Sequence, residues 1–275
     1  MNHPRLLIEP DELEHLCAHE TTNKNIVVID LCKAKQYAQA HIPGAHFVNY
    51  MDIVKVEKPI MGLLPDDDSF SQLLSKLGID SNSLIVAYDD EGGGCAARFV
   101  WTLHVFGHET AVILNGGLHS WANEGHALDN KATPAPDASV YNINKTHHHT
   151  ANRAYIQTHL DDDKLRFLDA RTLAEYRGEK KFANRAGHIP GAIHYEWTTS
   201  MDQTNNLRRL PADTIQKQLN DLDLTPDKEI ICYCQSHHRS AYSWLVLKSL
   251  GYKNVKGYPG SWSDWGNQTD TPIET

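Results

Sequence analysis

His41-Ile42-Pro43-Gly44-Ala45 returns later in the chain as His188-Ile189-Pro190-Gly191-Ala192. A five-residue identity built around a Pro-Gly turn signal, at a period longer than any solenoid repeat, points to two copies of one domain. Matches continue outward on both sides. Ile26-Val27-Val28-Ile29-Asp30 pairs with Arg166-Phe167-Leu168-Asp169-Ala170, each a short apolar run reaching an Asp. Leu84-Ile85-Val86-Ala87-Tyr88 pairs with Glu229-Ile230-Ile231-Cys232-Tyr233, Gly107-His108 with Gly251-Tyr252, and Trp121 with Trp265. The offsets drift only from 139 to 147, and the gain falls in a longer loop of the second copy, around Arg177 to Gly187.

The 275 residues suit two domains, each with its own core. The first is expected over 1–129 and the second over 151–275. Between them, 130–150 contains Lys131-Ala132-Thr133-Pro134-Ala135-Pro136-Asp137, a polar stretch broken by proline that reads as a linker. His147-His148-His149 closes it and reads as solvated linker rather than a metal site, because three adjacent His on one loop rarely converge on one ion. In the second copy strands are expected near Arg166–Asp169, Ala192–Tyr195, Glu229–Tyr233 and Asn254–Val255. Helices are expected near Asn152–His159, Pro211–Leu222 and Arg239–Leu250. Strands rich in Ile, Leu and Val without polar alternation are buried on both faces, and their alternation with helices implies an α/β fold with a doubly wound, mainly parallel sheet. Ligands in such sheets bind beyond the carboxyl ends of the strands.

A net charge of −9 disfavours nucleic acid and anionic membrane as partners, since both require a basic surface. Met1 to Leu16 mixes charges into its apolar residues and lacks the core of a signal peptide, and no window is apolar enough for a membrane span, so a cytoplasmic protein is expected. Five cysteines, without the even spacing of a disulfide framework, fit a reducing compartment and leave thiols for chemistry.

One of those thiols lies in a chemically distinctive place. Cys234 follows the strand ending at Tyr233, and Gln235, Ser236, His237 and His238 separate it from Arg239-Ser240, where helical periodicity begins. A loop this tight can wrap backbone N–H groups around one atom, and with the helix N-terminus it forms a nest for an anion. Arg239, with His237 or His238 when protonated, adds positive charge, so the thiol is expected to ionise near neutral pH. Cys17, Cys32 and Cys95 read as small buried residues, and Cys232 as core packing. In the first copy the position matching Cys234 is Asp89, followed by Glu91-Gly92-Gly93-Gly94-Cys95. A carboxylate there cannot act as a thiolate nucleophile.

With Asn115-Gly116-Gly117, Trp121 and the closing Tyr258-Pro259-Gly260-Ser261-Trp262-Ser263-Asp264-Trp265 added, the whole chain resembles the tandem-domain rhodanese family, the thiosulfate and 3-mercaptopyruvate sulfurtransferases. The resemblance implies two rhodanese-like domains, of which the first is catalytically silent. It also implies a ping-pong reaction that needs neither cofactor nor metal: the Cys234 thiolate takes sulfane sulfur from an anionic donor and passes it from a persulfide to a thiophilic acceptor such as cyanide or a thiol. Gln235-Ser236-His237-His238-Arg239 matches neither the Cys-Gly-Ser-Gly-Val loop of mercaptopyruvate enzymes nor the Cys-Arg-Lys-Gly-Val loop of well-known thiosulfate enzymes. It is similar to a bacterial branch of thiosulfate sulfurtransferases whose loops end in Arg-Ser, and a donor-rich cationic loop suits the thiosulfate dianion.

Where the family often places a substrate arginine, four residues after the first arginine of the Asp-Ala-Arg segment, this chain has Glu175. The donor contact is therefore assigned to the loop residues Gln235 to Ser240 and to Arg177 or Arg185. Arg171 is expected to pair with Glu175 at helical spacing, and His188 to serve its turn. Two alternatives stand beside the enzyme: a sulfur carrier that receives sulfur without turning over free thiosulfate, and a cysteine phosphatase or arsenate reductase. The second requires five residues between Cys and Arg, and here there are four.

Overall fold

A computed structural model describes residues 5–18 and 25–275. The expectation for the N-terminal segment lies partly outside them. The first half runs β1 (Leu7–Ile8), α1 (Pro10–Ala18), β2 (Ile26–Asp30), α2 (Ala34–Gln39), β3 (His46–Phe47), β4 (Lys55–Glu57), β5 (Ile60–Leu63), α3 (Asp67–Lys76), β6 (Leu84–Tyr88), α4 (Gly94–Val105), β7 (Ala111–Leu114) and α5 (Gly117–Asn123). The second runs α6 (Arg153–Thr158), β8 (Leu165–Asp169), α7 (Leu173–Tyr176), β9 (Ile193–His194), β10 (Met201–Asp202), β11 (Arg208–Arg209), α8 (Ala212–Asp221), β12 (Glu229–Tyr233), α9 (Arg239–Ser249), β13 (Val255–Gly257) and α10 (Ser261–Trp265).

The expected α/β architecture holds in both halves. One sheet is ordered β1-β7-β6-β2-β3 and the other β13-β12-β8-β9, and every neighbouring pair in them is parallel. The unbroken apolar runs have a direct cause. Val27, Ile29, Ile85 and Ala87 enter one buried cluster, while Val28, Val86 and Tyr88 enter another on the opposite face. Each of the Val and Ile side chains among them, fully buried, contributes about 1.5–3 kcal/mol relative to exposure.

Both central strands end in the same device. Tyr88 lies opposite Asp30 and donates its hydroxyl to that carboxylate at 2.5 Å, while the hydroxyl accepts the N–H of Ile42 at 3.0 Å. Tyr233 lies opposite Asp169 and accepts the N–H of Ile189 at 3.2 Å. This is where each His-Ile-Pro-Gly-Ala turn docks. His41 stacks on Tyr37 and His188 on Tyr176, with ring nitrogens 2.7 and 2.8 Å from the carbonyls of the same tyrosines. Gly44 and Gly191 turn with φ of +78° and +70°, a conformation that disfavours any side chain.

The two halves are fused. α4 packs against α9, and Phe99, Trp101, Tyr242 and Trp244 belong to one continuous core. Two antiparallel hairpins, β4-β5 and β10-β11, clasp the opposite half: Met61 N–H donates to Ser263 at 3.0 Å, and Arg209 N–H donates to Asn115 at 2.9 Å. The segment after Asp129 is largely exposed from Asn130 to Val140, yet hydrogen bonds tie it to the first half. Tyr141 is buried beside His108, and Thr146 N–H donates to the Val105 carbonyl at 2.8 Å. His147 and His148 are exposed, whereas the His149 carbonyl accepts from Trp101 and Gly257 at 2.9 and 2.8 Å. Cys17, expected inside, is exposed on the outer face of α1, while Cys32 and Cys232 are buried and Cys95 is partly so.

Candidate functional site

β12 delivers Cys234 to the carboxyl edge of its sheet and α9 starts at Arg239, so the loop between them closes within one turn. Cys234 is fully buried. Burial pushes its thiol pKa up, but the Arg239 guanidinium, the Ser240 hydroxyl and the backbone N–H groups of Ser240 and Ser236 outweigh it and bring the value down to about 7. The anion nest expected from the spacing is thus built from Ser236 and Ser240. By contrast burial, with the nearby Cys234 charge, pushes the Cys232 thiol up, and it stays protonated at neutral pH.

The two loop histidines have different roles. His237 has φ of +55° and is fully buried edge-on to Trp101, with ring centroids 4.2 Å apart. Burial, with Arg98 nearby, drives its pKa far below the ordinary value, so it is neutral and adds no charge. Its Nδ1 lies 2.7 Å from Ser240 Oγ. A hydroxyl has one hydrogen to give, so when Ser240 donates to Cys234, His237 Nδ1–H must donate to Ser240. His237 therefore orients the hydroxyl that stabilises the thiolate. Burial acts against protonation of His238 too, but its contact with Glu91 overrides this and raises the pKa.

Arg239 is not free to clamp a donor. Its two terminal nitrogens donate to the two Glu175 oxygens at 2.7 and 2.9 Å, a bidentate pair. Burial would raise the Glu175 pKa, but Arg239 and Thr172 pull it down to about 2. The Arg171–Glu175 pair expected from helical spacing does not form. α7 begins at Leu173 with Thr172 and Glu175 as its capping box, so Arg171 precedes the helix and instead binds Asp169 and the Gly187 carbonyl. Arg185 is committed to the carbonyls of Trp265 and Thr271 and to the Thr271 hydroxyl. Arg177 is exposed at the end of α7. Neither lines the cavities beside the loop.

Those cavities flank the loop. One of about 520 Å³ is lined by Tyr50, Glu91, Cys95, Ser236 and His238, so both halves contribute. The other, about 650 Å³, is lined by Met61, Phe182, Asn184, Gln235, Arg239 and Asn267. Sequence reasoning missed Arg98 on α4. It is buried, donates to the Ser236 and His237 carbonyls at 3.5 and 3.3 Å and to the Leu63 carbonyl at 3.0 Å, and so anchors the cysteine loop from the other half. An arginine inside the otherwise apolar Ala96-Ala97-Arg98-Phe99-Val100-Trp101 was the available signal.

In the first half, the Asp89 carboxylate fills its own loop. It accepts N–H bonds from Glu91 and Gly93 at 3.1 and 2.7 Å on one oxygen and from Ala96 at 2.9 Å on the other. Burial and the Glu91 charge lift its pKa to about 6 despite those donors.

Residues 9–124 and 152–268 each match the rhodanese-like domain family. The chain belongs to the rhodanese family. This rhodanese is similar to a thiosulfate sulfurtransferase of Pseudomonas aeruginosa, 45% identical over 269 residues that cover 98% of this chain and 97% of the relative. It is also similar to the sulfur carrier protein TtuD of Thermus thermophilus, 31% identical over 284 residues, covering 98% and 97%. The solved structure of an EanB variant with ergothioneine shares the fold, with TM-score 0.89 at 20% identity over 98% of this chain and 70% of that one. Among the described residues, no helix of this rhodanese is long and apolar enough to cross a membrane.

Proposed function

We propose that this rhodanese is a thiosulfate sulfurtransferase working through a persulfide on Cys234. The thiolate attacks the outer sulfur of thiosulfate, forming a Cys234 S–S bond as the bond to the sulfite group breaks and sulfite leaves with the electron pair. A cyanide or thiolate acceptor then attacks the terminal sulfur, forming thiocyanate or a new persulfide and returning the thiolate. The observation carrying this reading is the fully buried Cys234 at the strand-to-helix turn, with a thiol pKa of about 7 set by Arg239, Ser240 and Ser236 against burial. With Arg239 paired to Glu175, attraction of the donor falls to the loop N–H groups, Gln235 and His238, whose pKa is raised by its contact with Glu91, and Arg185 drops out as a donor contact.

The decisive experiment is intact mass after thiosulfate and again after cyanide. A gain of one sulfur atom, lost as thiocyanate, supports the enzyme; no gain overturns the proposal. Gain without transfer would favour the carrier reading, which the resemblance to the Thermus protein keeps open. The phosphatase reading loses its clamp, because the guanidinium that would grip an oxyanion is engaged by Glu175.

A further inference from the structure

We propose that Glu91, Cys95 and His238 form a zinc-binding site that ties the cysteine loop to the first half of the molecule. Glu91 and Cys95 flank the start of α4, and His238 ends the cysteine loop, so the cluster exists only because the halves meet. One ligand atom from each residue lies within 4.8 Å of the other two. Cys95 Sγ and His238 Nε2 are 3.6 Å apart. Tetrahedral geometry places a sulfur at about 2.3 Å and a nitrogen at about 2.05 Å from zinc about 3.6 Å from each other, so this edge is already at its bound length. Glu91 Oε1 touches the same Nε2, and its side chain is 42% exposed, so rotation toward solvent opens room for an ion.

The donor set suits zinc. Thiolate, imidazole and carboxylate are all zinc ligands, and three protein ligands with one open position match the layout of open zinc centres, while magnesium and calcium require oxygen donors. Binding replaces the thiol proton of Cys95, and the Nε2 proton where His238 carries one, and releases them to solvent. A second observation points to a ligand here. The three residues line the 520 Å³ cavity together with Tyr50, whose hydroxyl is buried there without a hydrogen bond among the described residues. Three protein ligands facing a cavity leave the fourth position to water or a small anion. The tyrosine ring meets the His238 ring edge-on at 5.6 Å.

The test uses the full chain carrying Cys234→Ser, which removes the competing thiolate. Cobalt(II) stands in for zinc because a cysteine ligand gives a sulfur-to-cobalt charge-transfer band. The band is expected in Cys234→Ser and lost in Cys234→Ser/Cys95→Ser. Zinc titrated against a chromophoric chelator should bind once per chain. That binding should weaken by more than about a hundredfold on Cys95→Ser, because changing groups that merely orient ligands already costs about ten- to a hundredfold. Glu91→Gln, at an exposed side chain, serves as the variant that keeps the fold, with circular dichroism as the check, and should weaken zinc likewise. A band that survives without Cys95, zinc affinity unchanged by Glu91→Gln, or no stoichiometric zinc in Cys234→Ser overturns the proposal.

Discussion

Arg239→Ala tests the electrostatics of the cysteine loop, because Arg239 is the largest influence opposing burial at Cys234. The thiol stands at about 7 against an ordinary 9.0, a displacement of roughly 3 kcal/mol at about 1.4 kcal/mol per unit. Removing the guanidinium also leaves the Glu175 carboxylate buried and unpaired near the loop, which acts in the same direction. The thiol pKa is therefore expected to rise by one to two units. At pH 7 the thiolate fraction falls from about one half to between about a tenth and a hundredth, and kcat/KM for thiosulfate should fall about five- to fiftyfold. At pH 9 at least half of the thiols are ionised in either protein, so the deficit should shrink to about twofold or less. The double variant Arg239→Ala/Glu175→Gln should bring the pKa part of the way back, since it also removes the orphaned charge. The assay is iodoacetamide alkylation against pH beside steady-state kinetics at pH 7 and 9. An unchanged alkylation pKa with a deficit equal at both pH values would refute the electrostatic account and return Arg239 to direct contact with the donor.

Cys234→Ser should show no mass gain with thiosulfate and turnover below a few per cent; higher residual activity would move the chemistry to Cys95 or Cys232. Gly62→Ala places a Cβ 2.0 Å from the Ser236 carbonyl and 2.8 Å from that of Pro259, so it should displace the loop and lower thiosulfate turnover more than about tenfold, with a destabilisation of about 1–3 kcal/mol in denaturant titration. Arg98→Met should lower the melting temperature through about 1–3 kcal/mol for each loop carbonyl left without a donor, and should weaken protection of Ser236 and His237 in hydrogen exchange. Glu175, held at about 2 against an ordinary 4.5, binds more protons unfolded than folded. Its contribution is complete above pH 4.5 and lost as pH falls toward 2, so Glu175→Gln should flatten acid denaturation in that window by about 3 kcal/mol.

What the sequence shows depends on how locally each feature is determined. Glu229–Tyr233 and Arg239–Ser249 are legible because an unbroken apolar run and a helical period each fill a whole element. Hairpins β4-β5 and β10-β11 are too short to carry a period, and they are held by contacts such as Met61 N–H to Ser263 that join residues far apart in the chain. The partner of Arg239 is hidden for the same reason, since Glu175 approaches it only through the fold. Even so, Thr172-Leu173-Ala174-Glu175 is a legible capping box, and it places Arg171 before the helix, where an i,i+4 pair cannot form. His237 and His238 look alike in sequence. Burial against Trp101 makes one neutral and contact with Glu91 makes the other basic, a difference created entirely by packing.

The two copies use one backbone device for different ends. Three N–H groups converge on Asp89, and leaving each unmet would cost about 1–3 kcal/mol. A carboxylate tethered to the chain meets them, which stabilises the first loop. In the second copy the N–H groups of Ser236 and Ser240 converge on sulfur, where only the thiolate meets them well, and the lowered pKa of Cys234 expresses that demand. In the proposed cycle the thiolate and the persulfide each carry a single negative charge. The loop therefore passes between them without a change in charge, and the Arg239–Glu175 pair can stay closed throughout. A sulfur atom can then be taken up and released with the surrounding dipoles already in place, so little reorganisation is needed at either step.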